Sequence, residues 1–323
     1  AADFTLTGGL PIGGTYSGTG VSAGSFSPTT AGTGTHTITY TYTDINGCTS
    51  SDSTDINVNA LPTVTIAALA DVCEDAADFT LTGGLPIGGT YSGTGVSAGS
   101  FSPTTAGTGT HTIVYTYTDI NGCTSSDSTD IDVNALPTVT MAALADVCED
   151  AADFTLTGGL PVGGTYSGTG VSGGDFSPVS AGTGTHTITY TFTDGNGCVS
   201  SDSADINVNT VPVTSVITGN TTPACSATGE GYSVVLTSGS SYAWSVPVGS
   251  SISSGAVGPD NNAIVVDFGA TNGQISVVET NAQGCSGSSQ SLTISLQGCG
   301  LDAEFSADQT SICEGGTVVF TDL

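Results

Sequence analysis

The 323-residue chain contains no Lys and no Arg against 29 Asp and Glu, which leaves a formal net charge of −29. Without basic side chains it forms no ordinary salt bridge. Nucleic acid is effectively excluded as a partner, because binding phosphates requires Lys or Arg to displace counterions, and anionic membrane surfaces are disfavoured on the same ground. Trypsin has no residue to cut after, so the chain is expected to run as one intact band after tryptic digestion, folded or unfolded; fragments on a denaturing gel would contradict this. Trp and Met occur once each. There is no CxxC pair and no zinc spacing, no helical periodicity, no initiator Met or signal peptide, and no apolar run long enough for direct membrane insertion. The ends read as fragment ends.

What the chain does have is a repeat. AADFTLTGGLP begins at Ala1, Ala76 and Ala151, and the first two copies differ only at Thr39 against Val114, Asn57 against Asp132, and Ile66 against Met141. A period this long implies one small domain per repeat. An active site is a singular constellation that copying does not build, whereas repetition suits tasks done by number and length. His36, His111 and His186 are one position copied three times, with no Ser or Cys nucleophile pattern beside them.

Alternation supplies the local structure. In HTIVYTYTD, His111, Ile113, Tyr115 and Tyr117 share one face and Thr112, Val114, Thr116 and Thr118 the other, a period of two that means strand. LPTVTI and ADFTLT read as earlier strands, the latter with Phe79 and Leu81 inward. Between the tight bends of the Gly-rich stretch, Ile87, Tyr91, Val96 and Phe101 are expected core anchors. DINGC suits a hairpin turn, followed by a return strand ending in Ile131 and Val133. These features predict an all-β fold of tandem immunoglobulin-like β-sandwich domains, about seven strands each, arranged as an extended rod whose carboxylates repel one another. The domains expected are a truncated repeat at 1–60, repeats at 61–135 and 136–210, a divergent domain at 211–298, and the start of a further one at 299–323. In the divergent domain, Trp244 reads as core.

The cysteines follow the period. Pairing Cys73 with Cys123, and Cys148 with Cys198, closes loops of about 50 residues, each contributing roughly 4 kcal/mol in the chain-entropy picture. Cys225 with Cys285 is the expected bridge of the divergent domain. Cys48 then lacks its partner because the chain starts just after the position equivalent to Cys73, which reads as a piece cut from a longer polymer. The pairing of Cys299 and Cys313 stays open. Disulfides imply an oxidising, extracellular setting.

AGTGTHTITYTYTDINGC resembles the terminal hairpin of polycystic-kidney-disease-type (PKD) and related immunoglobulin-like domains. GYSVVLTSGSSYAWSVPVGSSI through ETNAQGCSG is similar to the PKD-like modules of giant Bacteroidota surface proteins, and FSADQTSICEGGTVVFTDL resembles the start of another. The resemblance implies a long surface or secreted protein, often a gliding-motility-type adhesin exported by type IX secretion. Asp-Ser-Thr or Asp-Ser-Ala at Ser53, Ser128 and Ser203 looks like the O-glycosylation signal of Bacteroidota, while chance triplets in a Ser/Thr-rich strand explain it equally well.

Carboxylates at Asp127, Asp130 and Asp132 and in the DINGC turn carry at most weak, non-specific calcium association, because strand alternation separates them and hairpin geometry accounts for the turn; no cofactor is expected. The Thr row Thr37, Thr39, Thr41, Thr43 reads as ordinary exposed strand. Taken together, the chain reads as a non-catalytic structural spacer or stalk of a bacterial extracellular adhesin or surface fibre. Its expected partners are neighbouring domains or copies of the same protein, and surface glycans through a tip domain beyond it. A carbohydrate-binding module array, or the accessory linker of a secreted enzyme, is the alternative.

Overall fold

The computed structural model describes residues 1–255, 260–300, 305–308, 310–312 and 314–322. The chain is all-β, a tandem series of immunoglobulin-like sandwiches. It divides into two compact units, Ala1–Thr138 with Thr193–Ser200, and Val139–Phe192 with Ser201–Leu323. The small insert matters: the tip of the third repeat's hairpin belongs to the unit that holds the first two repeats.

In the first unit, the second repeat shows the plan most fully. The strands Gly109–Thr118 and Thr124–Asn134 form a long antiparallel hairpin. Thr90–Ser92 joins one side of it, and Val72–Cys73 runs parallel on the other. A three-stranded sheet of Val96–Ser97, Ser100–Phe101 and Phe79–Thr80 supplies the other layer. Between the layers lie Leu81, Phe101, Ile113, Ile131 and Val133, all buried, with Leu69, Val72, Phe79, Tyr91 and Val96 packed around them. The two-residue alternation places Ile113 and Tyr115 inward and leaves Thr112 and Thr118 exposed, as the sequence leads one to expect.

Tyr115 fixes the Gly-rich loop. Its ring lies 4.7 Å from that of Tyr91, its hydroxyl accepts a hydrogen bond from Gly89 N at 2.7 Å, and it donates to Pro86 O at 2.6 Å. A Cβ on Gly84 would sit 2.6 Å from ring carbons of Tyr115, so the loop's close approach requires glycine there. Tyr115→Phe leaves a loop N–H and a carbonyl without their partner, and is expected to lower stability by about 1–3 kcal/mol with the fold retained. A denaturant midpoint equal to that of the parent would refute the anchoring role.

Two sequence expectations are corrected in this region. Ile87 is 87% exposed and anchors nothing; the chain around it turns outward, and Tyr115 occupies the interior instead. Pro103–Ala106 forms one helical turn with Pro at its start, repeated at Pro28–Ala31 and Pro178–Ala181. A single turn is too short to leave a 3.6-residue period in the sequence.

With no basic side chain available, the carboxylates are met by hydroxyls and backbone N–H groups. Thr112 Oγ1 donates to Asp130 at 2.7 Å and Thr110 Oγ1 to Asp132 at 2.5 Å across the hairpin. Asp127 accepts from Ile66 N at 3.1 Å, which holds the short strand Thr65–Ile66 in place.

In the second unit, the third repeat follows the same scheme around Leu156, Phe176, Ile188, Ile206 and Val208. The divergent domain packs the sheet of Glu230–Ser233, Ala263–Asp267 and Ser251–Ser254 against that of Ser241–Ser245, Gly273–Thr280 and Gln290–Ile294. Trp244 lies against this core and donates Nε1–H to Asn261 O at 3.1 Å. Phe305–Ala307 pairs with Phe320–Asp322 in a separate two-stranded sheet.

Candidate functional site: the inter-repeat cystine latch

The disulfides do not close the repeats on themselves. Cys73 is bonded to Cys198 and Cys148 to Cys285, each with Cα atoms 5.6 Å apart, and Cys225 is bonded to Cys299. Cys48 and Cys123 are free thiols. The expected pairs Cys73–Cys123, Cys148–Cys198 and Cys225–Cys285 are therefore corrected. Cys313 lies outside the described residues.

The reason is the geometry of the long hairpin. Cys73 pairs with Asn134 at one end of the return strand, whereas Cys123 precedes Thr124 at the other. A strand of that length separates them by roughly 35 Å at ~3.4 Å per residue, far beyond the ~6 Å Cα spacing that a disulfide tolerates. The hairpin turn of the following repeat, which carries the same cysteine, meets Cys73 instead. Cys73–Cys198 and Cys148–Cys285 thus each join one repeat to the next domain along the chain. The period alone did not discriminate, because Cys123 and Cys198 are the same position one repeat apart.

The turn that presents the cysteine is built by one side chain. Asp194 Oδ1 accepts from Asn196 N and Cys198 N, both at 2.9 Å, and Gly197 takes a positive φ of 85° to close the bend. Cys198 is fully buried at the contact. In the divergent domain Asn281 does the same work for Gln283 N at 3.1 Å and Cys285 N at 2.9 Å. The Asp and Asn of these turns are thus occupied in shaping the latch. Asp44, in the first repeat's turn, is held below the ordinary carboxylate value of 3.8 by the backbone N–H groups of Cys48 and Asn46. Its folded value being lowered, the turn is expected to stay formed above that ordinary value and to loosen as pH falls through the lowered one. Faster amide exchange at Asn46 and Cys48 in acid would show this, and pH-independent protection relative to the intrinsic rate would contradict it.

The donor strand is built as carefully. Leu69 and Val72 pack on the core, Glu74 N donates to Asn134 O at 2.9 Å, and Asp132 N donates to Asp71 Oδ1 at 3.2 Å. Along the sequence the bonds have separations of 125, 137 and 74 residues, and each overlaps the next, since Cys148 precedes Cys198 and Cys225 precedes Cys285.

The remaining candidates sit apart from the latch. Ser53, Ser128 and Ser203 are exposed on the return strands. The histidines donate from Nε2 to the carbonyl of a nearby glycine, as His111 does to Gly107 O at 2.8 Å, and lie beside buried Phe rings. Among the described residues no group of three or more His, Cys, Asp or Glu side chains converges, and no helix is long and apolar enough to cross a membrane. Sequence reasoning missed Cys299 as a partner of Cys225; the parallel bridge between Ala224 and Gln297 that brings the two together leaves no periodic signal.

Residues 210–294 match the family model of PKD-like domains. No curated protein matches the chain. Similar solved structures include a Ca2+-stabilised adhesin with which an Antarctic bacterium reaches out and binds ice, 17% identical over 82% of this chain and 82% of that one, with a TM-score of 0.32. Another is the N-terminal eight immunoglobulin domains of the Down Syndrome Cell Adhesion Molecule, 12% identical over 82% of this chain and 40% of that one, TM-score 0.31. A third is the Bacteroides ovatus mixed-linkage glucan utilisation protein SGBP-B, 16% identical over 73% and 69% of the two chains, TM-score 0.17. The PKD-like match falls on the divergent domain.

Proposed function

We propose that this segment is a non-catalytic spacer of an extracellular bacterial adhesin or surface fibre, in which successive sandwiches are stapled to one another to hold a binding tip away from its base. The observation that carries this reading is the placement of the cystines: Cys73–Cys198 and Cys148–Cys285 bond one repeat to the next domain, where a set of independent binding modules needs only internal bridges. Disulfides and the complete lack of basic residues agree with an extracellular protein that touches neither nucleic acid nor anionic lipid. The boundaries 61–135, 136–210 and 211–298 are the module limits we assign. The resemblance of GYSVVLTSGSSYAWSVPVGSSI through ETNAQGCSG to the PKD-like modules of giant Bacteroidota surface proteins supports reading the parent as an adhesin of that kind, with its glycan contacts in another part of the molecule.

The carbohydrate-binding array is disfavoured by Tyr115 and Tyr190, which are turned inward and buried rather than lined up on a face. The test is a glycan array probed with the whole chain. Absence of binding is the expected outcome; saturable retention on one glycan class would replace the spacer with a binding array. In the native source, mass steps of hexose size mapped to Ser53, Ser128 and Ser203 would assign these exposed positions as O-glycosylated, and an unmodified mass would reject that assignment.

A further inference from the structure

Asn196 stands two residues before Cys198, in the turn that the bond to Cys73 holds closed, and it is followed by a glycine. In an Asn-Gly pair no Cβ stands on the second residue, so its backbone nitrogen can reach the asparagine carboxamide and displace ammonia. The Asn196 side chain is exposed and has no hydrogen-bond partner among the described residues. The nucleophile, by contrast, is occupied. Gly197 N donates to Asp194 O at 3.2 Å, and the amides on either side of it, Asn196 N and Cys198 N, both donate to Asp194 Oδ1 at 2.9 Å. Cys198 is fully buried at the contact, so the bend is fixed at both of its ends.

Two other places in the chain lack this combination. Counted back from Cys285, the position of Asn196 is taken by Gln283, whose longer side chain must close a larger ring on Gly284. Asn272 also precedes a glycine, but its carboxamide oxygen accepts from Leu296 N at 2.7 Å, and Gly273 opens a strand paired with Gln290–Ile294.

We propose that Asn196 is a self-modification site gated by the Cys73–Cys198 bond, closed to cyclisation while the turn is latched and open to it once the bond is broken. The unlatched turn opens locally and releases the Gly197 amide from Asp194 O. As that amide gives up its proton to hydroxide, its nitrogen bonds to Asn196 Cγ, the carboxamide C–N bond breaks and ammonia leaves. Water then opens the succinimide at one carbonyl to give aspartate or at the other to give isoaspartate. Either product sets a second carboxylate close to Asp194, and no Lys or Arg is present to offset it. Isoaspartate also lengthens the backbone by a methylene between Asp194 and Cys198, which breaks the clamp that presents the sulfur. Deamidation here is thus a one-way record that the latch has been open.

The test ages the oxidised whole chain and its Cys73→Ser/Cys198→Ser variant side by side in mildly alkaline buffer, followed by peptic digestion in acid and mass spectrometry. Isoaspartate is scored by enzymatic methylation of its free α-carboxyl. The sequence TDGNGCVSS distinguishes Asn196 from Asn46 and Asn121, which both lie in TDINGCTSS. Deamidation of Asn196 is expected to be about tenfold faster in the variant, with Asn272 unchanged. Equal rates at Asn196 in the two chains, or a matching rise at Asn272, would overturn the gating. A second measurement does not depend on the fold of the variant: the parent chain is aged reduced and then re-oxidised. Its isoaspartyl form is expected to be depleted from the fraction in which Cys198 is again bonded to Cys73, and an equal share in the bonded and unbonded fractions would overturn the one-way record.

Discussion

Pulled from its two ends, the oxidised chain will stop lengthening roughly 700 Å short of the reduced chain. With the cystines intact, the shortest covalent path from Cys73 to Cys299 crosses to Cys198, follows the backbone to Cys225 and crosses again. That path contains about 27 residues, so about 200 are shielded from tension, each worth ~3.5 Å when extended. Single-molecule force spectroscopy with and without a reductant measures the difference directly. Pairing inside each repeat gives a different figure, because bridges of about 50 residues closed separately would leave the stretches between them free to extend. A reductant-dependent gain far below the expected value would remove the stapled-spacer reading at its foundation.

Cys73→Ser is expected to cost far more stability than Cys123→Ser. The bond to Cys198 closes a loop of 125 residues, for which the chain-entropy picture gives about 5 kcal/mol. Replacing the free thiol of Cys123 breaks no bond and should stay within about 0.5 kcal/mol. Chemical denaturation monitored by the near-ultraviolet signal of the tyrosines compares the two. Equal losses would restore the Cys73–Cys123 pair, and equal absence of loss would mean that neither cysteine is bonded in solution.

The fold was legible because its signal is local. Alternation in HTIVYTYTD placed Ile113 and Tyr115 inward, and the Asp and Gly of DINGC marked the hairpin turn. The latch was not legible for a reason equally physical. A period states which positions are equivalent but not which copy a position meets, and Cys123 and Cys198 are indistinguishable on that ground. Counting residues along the return strand was the one signal available: Thr124 to Asn134 is too long a strand for its two ends to share a bond. Ile87 misled for another reason. An apolar residue among glycines reads as an anchor, yet Tyr115 fills the interior and secures the loop through its hydroxyl, leaving Ile87 outside. Cys225 with Cys299 lay beyond inference, since the divergent domain offers no second copy for comparison.

The overlap of the three cystines has a consequence for survival in a protease-rich environment. Every peptide bond from Cys73 to Cys299 is spanned by at least one of them: the first covers the chain to Cys198, the second bridges the stretch from there to Cys225, and the third continues past Cys285. One backbone cut anywhere in that interval therefore severs no molecule. The nicked protein keeps its two ends covalently joined, as a rope of overlapping splices does when a single strand parts.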